Sequence, residues 1–168
     1  MANDSIAQTM ARLVESGAKK MYRGSVTLGD VVGLADEELE AMYGVGYHLF
    51  NWGKYQPALD IFSVLTLYSP FKGHYWRAAG AVNQAMKRFK QAVLAYDMAI
   101  TNNNQDAVSY TYRGESLLAL GDAPAGVRDL KKAIQVGEPV AAYVAWVKRA
   151  KILLSVREGS NPPTSAAK

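Results

Sequence analysis

The chain has 168 residues, 49% hydrophobic and 20% charged, the balance of a globular domain long enough to bury a core and not that of a disordered segment. It has no cysteine, which excludes disulfides, cysteine-ligated zinc and thiol catalysis, and no apolar run approaching the ~18 residues of a membrane-spanning helix. The net charge of +4 is uneven: residues 1–38 carry −2, 39–106 carry +2 and 107–168 carry +4.

In chain order, Ser5 to Tyr22 reads as a helix, with Ile6, Met10, Leu13, Val14 and Ala18 on one apolar face and Asp4 or Ser5 as its cap. Gly24-Ser25 breaks it, and Thr27 to Leu34 gives one short helical turn. Asp36 is expected to cap the next helix, whose first turn holds Glu37 and Glu38, as the helix dipole favours. From there a pattern recurs every 34 residues: Met42, Trp76 and Tyr110; Gly46, Gly80 and Gly114; Ala58, Ala92 and Gly126; Phe62, Tyr96 and Leu130. That period is the length of the tetratricopeptide repeat, a pair of antiparallel helices that buries its apolar faces only by stacking on its neighbours. Glycine in a helix interior costs about 1 kcal/mol relative to alanine, so three in register point to a packing need, the close crossing of the two helices of each pair.

The sequence therefore predicts an all-α fold: an N-terminal helical extension over 1–38, three repeats at 39–72, 73–106 and 107–140 in a short solenoid, a capping helix over 141–158, and a small polar, proline-containing tail at 159–168 expected to be disordered. The first repeat's opening helix ends near Trp52-Gly53 and its second starts near Tyr55. The later pairs are expected at about 73–86 and 89–102, then 107–120 and 123–136, with Asp122 capping the last and Pro124 in its first turn. The capping helix is expected to pack through Ala142, Trp146, Arg149-Ala150 and Leu153-Leu154, leaving a basic, wet face.

In stacked repeats the first helix of each pair lines the concave side. Its groove positions give Glu40, Tyr43, Tyr47 and Phe50, then His74, Arg77, Ala81 and Gln84, then Val108, Thr111, Glu115 and Leu118. Tyr43, Tyr47 and Phe50 form an aromatic stripe suited to an extended peptide with apolar anchors. The rival reading makes these rings core, covered by the N-terminal helix. No catalytic residues, metal ligands or cofactor site are expected. His48 and His74, the only histidines, have no ligand partner at i+4, and no HExxH, GxSxG or GxxxxGK[ST] pattern occurs. Lys131-Lys132 and Lys148-Arg149-Ala150-Lys151 are short and lack stacking aromatics, so they read as solvated helix faces and not as a nucleic-acid surface.

The order of segments resembles a known family. Gly24-Ser25-Val26-Thr27-Leu28 and Gly33-Leu34 precede Leu39-Glu40-Ala41-Met42-Tyr43. Gly46-Tyr47-His48-Leu49-Phe50-Asn51-Trp52-Gly53-Lys54-Tyr55 follows, then Gly80-Ala81-Val82-Asn83-Gln84 and Gly114-Glu115-Ser116-Leu117-Leu118-Ala119-Leu120-Gly121-Asp122. Over about residues 8 to 155 this is similar to the class II chaperones of bacterial type III secretion systems, which hold the translocator proteins (the SycD/LcrH type). The resemblance implies a non-enzymatic bacterial cytoplasmic protein. It would bind an extended segment of a hydrophobic translocator in its concave groove, through Tyr43, Tyr47 and Phe50 in the first repeat, and so prevent aggregation or premature membrane insertion. It also implies weak homodimerisation through residues 1–22. The chain departs from the family in being basic and in carrying Ser25-Val26 where the family has a double glycine. The alternative reading is a general tetratricopeptide adaptor between folded proteins; a basic protein associated with RNA or a membrane ranks behind both.

Overall fold

The computed structural model describes residues 26–159, and those residues form eight α-helices and one 3-10 turn, with no strand among them. They are α1 (Leu28–Val32), α2 (Asp36–Asn51), α3 (Tyr55–Tyr68), α4 (Gly73–Ala85), α5 (Phe89–Asn102), α6 (Ala107–Ala119), α7 (Ala123–Gly137) and α8 (Val144–Gly159). The expected helix over Ser5 to Tyr22 and the tail after 159 lie outside the described residues. The chain divides after Tyr75, inside α4, into two compact units.

In the first unit, α1 is held by a reciprocal cap: the Thr27 hydroxyl accepts from the Asp30 N–H at 3.2 Å while the Asp30 carboxylate accepts from the Thr27 N–H at 2.7 Å. It stops at Gly33, whose φ of 77° is left-handed. Asp36 does not cap α2 as expected. Ala35 is the extended residue before the helix, Asp36 is already helical, and the Glu38 carboxylate reaches back to accept from the Ala35 N–H at 2.8 Å. The acidic first turn thus supplies the cap from its third residue. α2 then crosses α3 at Gly46, where an added Cβ would lie 2.8 Å from the Phe62 ring. Leu39, Ala58, Phe62, Leu65 and Tyr75 form the buried core of this unit. Each such large side chain removed from water contributes roughly 1.5–3 kcal/mol.

The second unit repeats the device. A Cβ at Gly80 would lie 2.6 Å from the Tyr96 ring, and one at Gly114 would lie 3.1 Å from both Leu130 and the Gly126 carbonyl. Asp122 caps α7 as expected, accepting from the Ala125 N–H at 3.1 Å, with a proline in the first turn. Ile100, Ala107, Tyr110, Leu130, Ala133, Val136 and Ala150 make a second core. α8 packs on both α6 and α7, but not through all the residues expected. Val147 and Ala150 are buried, with Tyr143, Leu153 and Leu154 partly so. Ala142 is exposed because the chain there is a 3-10 turn, Ala141–Tyr143, and not the first turn of the helix. α8 also keeps the 34-residue register: Val144 follows Met42, Trp76 and Tyr110, and Lys148 stands where Gly46, Gly80 and Gly114 stand.

Candidate peptide-binding site

In the first unit, α2 aligns Tyr43, Tyr47 and Phe50 on one face because they recur at i, i+4 and i+7. Tyr43 is the hub. Its ring centroid lies 5.6 Å from Phe62 in the core, 5.8 Å from Tyr75, 5.2 Å from His74 edge-on, and 6.5 Å from Tyr47 in a stacked arrangement. Tyr47 is 51% exposed, so it is a surface ring braced from beneath by Tyr43 and not part of the core. Phe50 is half-buried, 5.7 Å from Tyr55. The stripe thus runs from the core outward, with Tyr47 as its open end.

Glu40 gathers polar groups beside these rings. It accepts from the fully buried Tyr75 hydroxyl at 2.9 Å, lies 3.2 Å from His74 Nε2 and 3.4 Å from the Lys72 ammonium. Lys72 also bonds Asp36 at 2.8 Å. Partial burial alone would raise the Glu40 pKa, but the hydrogen bonds from Tyr75, His74 and Lys72, together with the His74 charge, outweigh it and hold the carboxyl below its ordinary 4.5. A carboxylate with a lowered folded value adds stability above its unfolded pKa and loses it as pH falls through the folded one. The stability difference between the wild type and Glu40→Gln is therefore expected to be constant at neutral pH and to shrink below about pH 4. Denaturant midpoints of both proteins across that range check this; a difference that grows on acidification would contradict the network.

In the second unit the predicted residues divide. Arg77 donates to Asp106 at 2.7 Å, and Asp106 in turn caps α6 by accepting from the Val108 and Ser109 N–H groups and the Ser109 hydroxyl. Gln84 accepts from the Tyr96 hydroxyl at 2.8 Å and donates to Glu115 at 3.0 Å. Glu115 takes a two-pronged grip from Arg149, whose Nη2 lies at 2.9 Å and whose Nε completes the pair. Ala81 is half-buried. Thr111 does not belong with them: it is fully buried, its hydroxyl donating to the Ala107 carbonyl in its own helix. Leu118 is half-buried and packs on the α7 side, against Gly126. Both differ from expectation for one reason: α6 is covered on two sides, by α7 and by α8. Sequence reasoning missed Tyr112, stacked 6.0 Å from Tyr96 and lying 5.6 Å under the Arg149 guanidinium. The signal was a ring in α6 one residue past the expected groove position.

No family model matches the sequence. Among curated proteins, the chaperone protein SicA of Salmonella typhimurium is 25% identical over 123 residues, 73% of this chain and 70% of that protein. Among solved structures, the type III secretion translocator chaperone SycD of Yersinia enterocolitica superposes with a TM-score of 0.74 at 19% identity, over 77% of this chain and 97% of its own. The fold is that of the type III secretion translocator chaperones. A further structure with the translocator-chaperone fold, PcrH in complex with the chaperone binding region of PopB, superposes with a TM-score of 0.69 at 24% identity, over 71% of this chain and 97% of its own. PcrH is from Pseudomonas aeruginosa. Among the described residues of this translocator-chaperone fold, no helix is long and apolar enough to cross a membrane.

Proposed function

We propose that the chain is a non-enzymatic, cytoplasmic chaperone of a bacterial type III secretion system. It holds an extended segment of a hydrophobic translocator, so that the client's apolar surface is masked until export. One observation carries the site: Tyr47 is half exposed yet stacked on Tyr43, which is itself packed on core Phe62. Such a ring offers rigid apolar area with little side-chain freedom left to lose on binding. Tyr43 and Phe50 flank it in the first unit, and the His74 ring stands edge-on to Tyr43 beside it. In the second unit, Arg77, Ala81, Gln84 and Glu115 take a further stretch of the client. The side-chain bonds of Arg77, Gln84 and Glu115 to Asp106, Tyr96 and Arg149 hold these three in fixed orientations that an unordered surface would lack. The likeness to SicA, SycD and PcrH supports the client class.

The test is paired. Tyr47→Ala is expected to weaken capture of a co-expressed translocator by about 1–3 kcal/mol, a roughly 5- to 150-fold rise in Kd, as central aromatic anchors do. Its thermal midpoint should stay near that of the wild type, because Tyr47 supports little core. A collapsed midpoint beside unchanged capture would end the assignment. Capture of folded proteins only, with no translocator bound, would favour the general adaptor. Self-association through residues 1–22 is part of the same proposal, and sedimentation of the chain lacking them checks it: an unchanged dimeric mass would refute it.

A further inference from the structure

α8 is more than the end of the core. Ala145, Arg149 and Ile152 follow Thr111, Glu115 and Leu118 at the 34-residue spacing, so α8 repeats the register of the positions expected to line the groove, of which Glu115 is the one that α6 leaves at the candidate site. The contact that proves the shared register is physical: Arg149 grips Glu115, its counterpart one repeat before. Those three α8 residues line an open cleft of about 560 Å³ together with Tyr112, Trp146 and Leu153. That volume lies within the roughly 300–1,000 Å³ of ligand-holding clefts, and the walls are mainly apolar and aromatic. Ile152, which lines the cleft, is 52% exposed. Lys148 is at the rim, exposed, and among the described residues it makes no ion pair, whereas Arg149 is committed to Glu115 and Lys151 to Glu138.

We propose that α8 carries a fourth peptide-binding rung, whose cleft takes an apolar side chain of the client's extended segment while Lys148 meets a carboxylate beside it. The occupant's chemistry follows from the cleft: apolar walls with one uncommitted cation at the rim, in the part of the chain with the largest positive charge. Neutral or basic segments lack the second half of that match. The proposal rests on the chaperone reading only for the occupant's being a client segment; the cleft and its preference stand on the geometry.

The probe is a fluorescein-labelled, acetylated octapeptide of alternating leucine and aspartate, titrated into the full chain and read by anisotropy, beside the same peptide with lysine in place of aspartate. The wild type is expected to bind the leucine–aspartate peptide saturably and the leucine–lysine peptide at least about tenfold more weakly. Ile152→Glu and Lys148→Glu should each weaken the first peptide about tenfold, and Lys148→Glu should narrow or reverse the preference between the two. Lys131→Glu makes the same charge change on an exposed lysine of α7 outside the cleft, and should leave the affinity within about twofold. The thermal midpoint of Ile152→Glu should match the wild type, since half of the side chain is already in water. Equal binding of both peptides, wild-type affinity in Ile152→Glu, or no saturation up to about 1 mM would overturn the proposal. Loss of translocator capture beside intact peptide binding would remove the proposed client and keep the cleft; the converse would remove the cleft alone.

Discussion

Tyr96→Ala is expected to destabilise the second unit by about 3–5 kcal/mol, the usual cost of emptying a fully buried aromatic site. The side chain is the filler between α4 and α5. Its ring lies where a Gly80 Cβ would fall, and its hydroxyl orients Gln84. The sharper form of the test is a double-mutant cycle. On the wild type, Gly80→Ala should destabilise, because the new methyl would meet three ring atoms of Tyr96 at 2.6, 2.8 and 2.9 Å and the ring has no free space to enter. On the Tyr96→Ala background the same change should stabilise by up to about 1 kcal/mol, because the obstacle is gone and alanine is the better helix former. The sign should reverse between backgrounds. Denaturant unfolding of the four proteins checks it, and the same sign in both would mean that the glycine serves something other than this crossing.

Arg113→Met should cost about 2–4 kcal/mol, less than a wholly buried pair would because the arginine side chain is 20% exposed. Arg113 ties three helices together: from α6 it donates to Asp129 of α7 through Nε at 2.6 Å and Nη2 at 2.8 Å, and to Asp97 of α5 through Nη1 at 2.6 Å. Burial works against its charge, but the bonds to the two carboxylates outweigh that and hold its pKa above the ordinary arginine value. The arginine's part of this contribution is therefore fully present at neutral pH and is lost only as pH rises past the arginine range. Removing it leaves the Asp129 carboxylate, 11% exposed, without its cation. Adding Asp129→Asn to Arg113→Met should therefore recover part of the loss, and Arg113→Lys should recover less than the wild-type fork provides, since an ammonium cannot meet both carboxylates in the same plane. A loss under about 0.5 kcal/mol in Arg113→Met would class the contact with ordinary surface pairs.

These two sites also mark what was legible in the chain. The glycines at 46, 80 and 114 and the large residues at 62, 96 and 130 could be read because one packing rule, a close helix crossing filled by a ring or a leucine, writes itself at a fixed interval. Tyr47 could be read as a groove candidate from its helical face, but its separation from the core needed the accessible area, since periodicity gives a direction and not the depth at which a side chain ends. Thr111 and Leu118 differ from expectation because α6 is covered by both α7 and α8, and no local pattern announces which faces later helices will cover. The Arg113 ties were not legible at all. Asp97 and Asp129 lie 16 residues either side of it, a spacing with no helical or strand meaning until the three helices are packed. Asp36 shows the limit at the scale of one turn: the acidic cluster predicted a helix start, and the start is there, yet which carboxylate closes it depends on where the backbone turns from extended to helical.

Lys148 occupies the place where each earlier repeat has its glycine. Families built from a repeated unit lengthen when the unit is copied in place, and each new copy must be able to seat its second helix against its first. At 46, 80 and 114 the backbone is bare and a second helix fits. At 148 a long charged side chain stands in the way, so a helix appended after residue 159 would have to bury a lysine at the point of closest approach. A tandem copy added at this end would thus need a second, simultaneous change at 148 before it could pack.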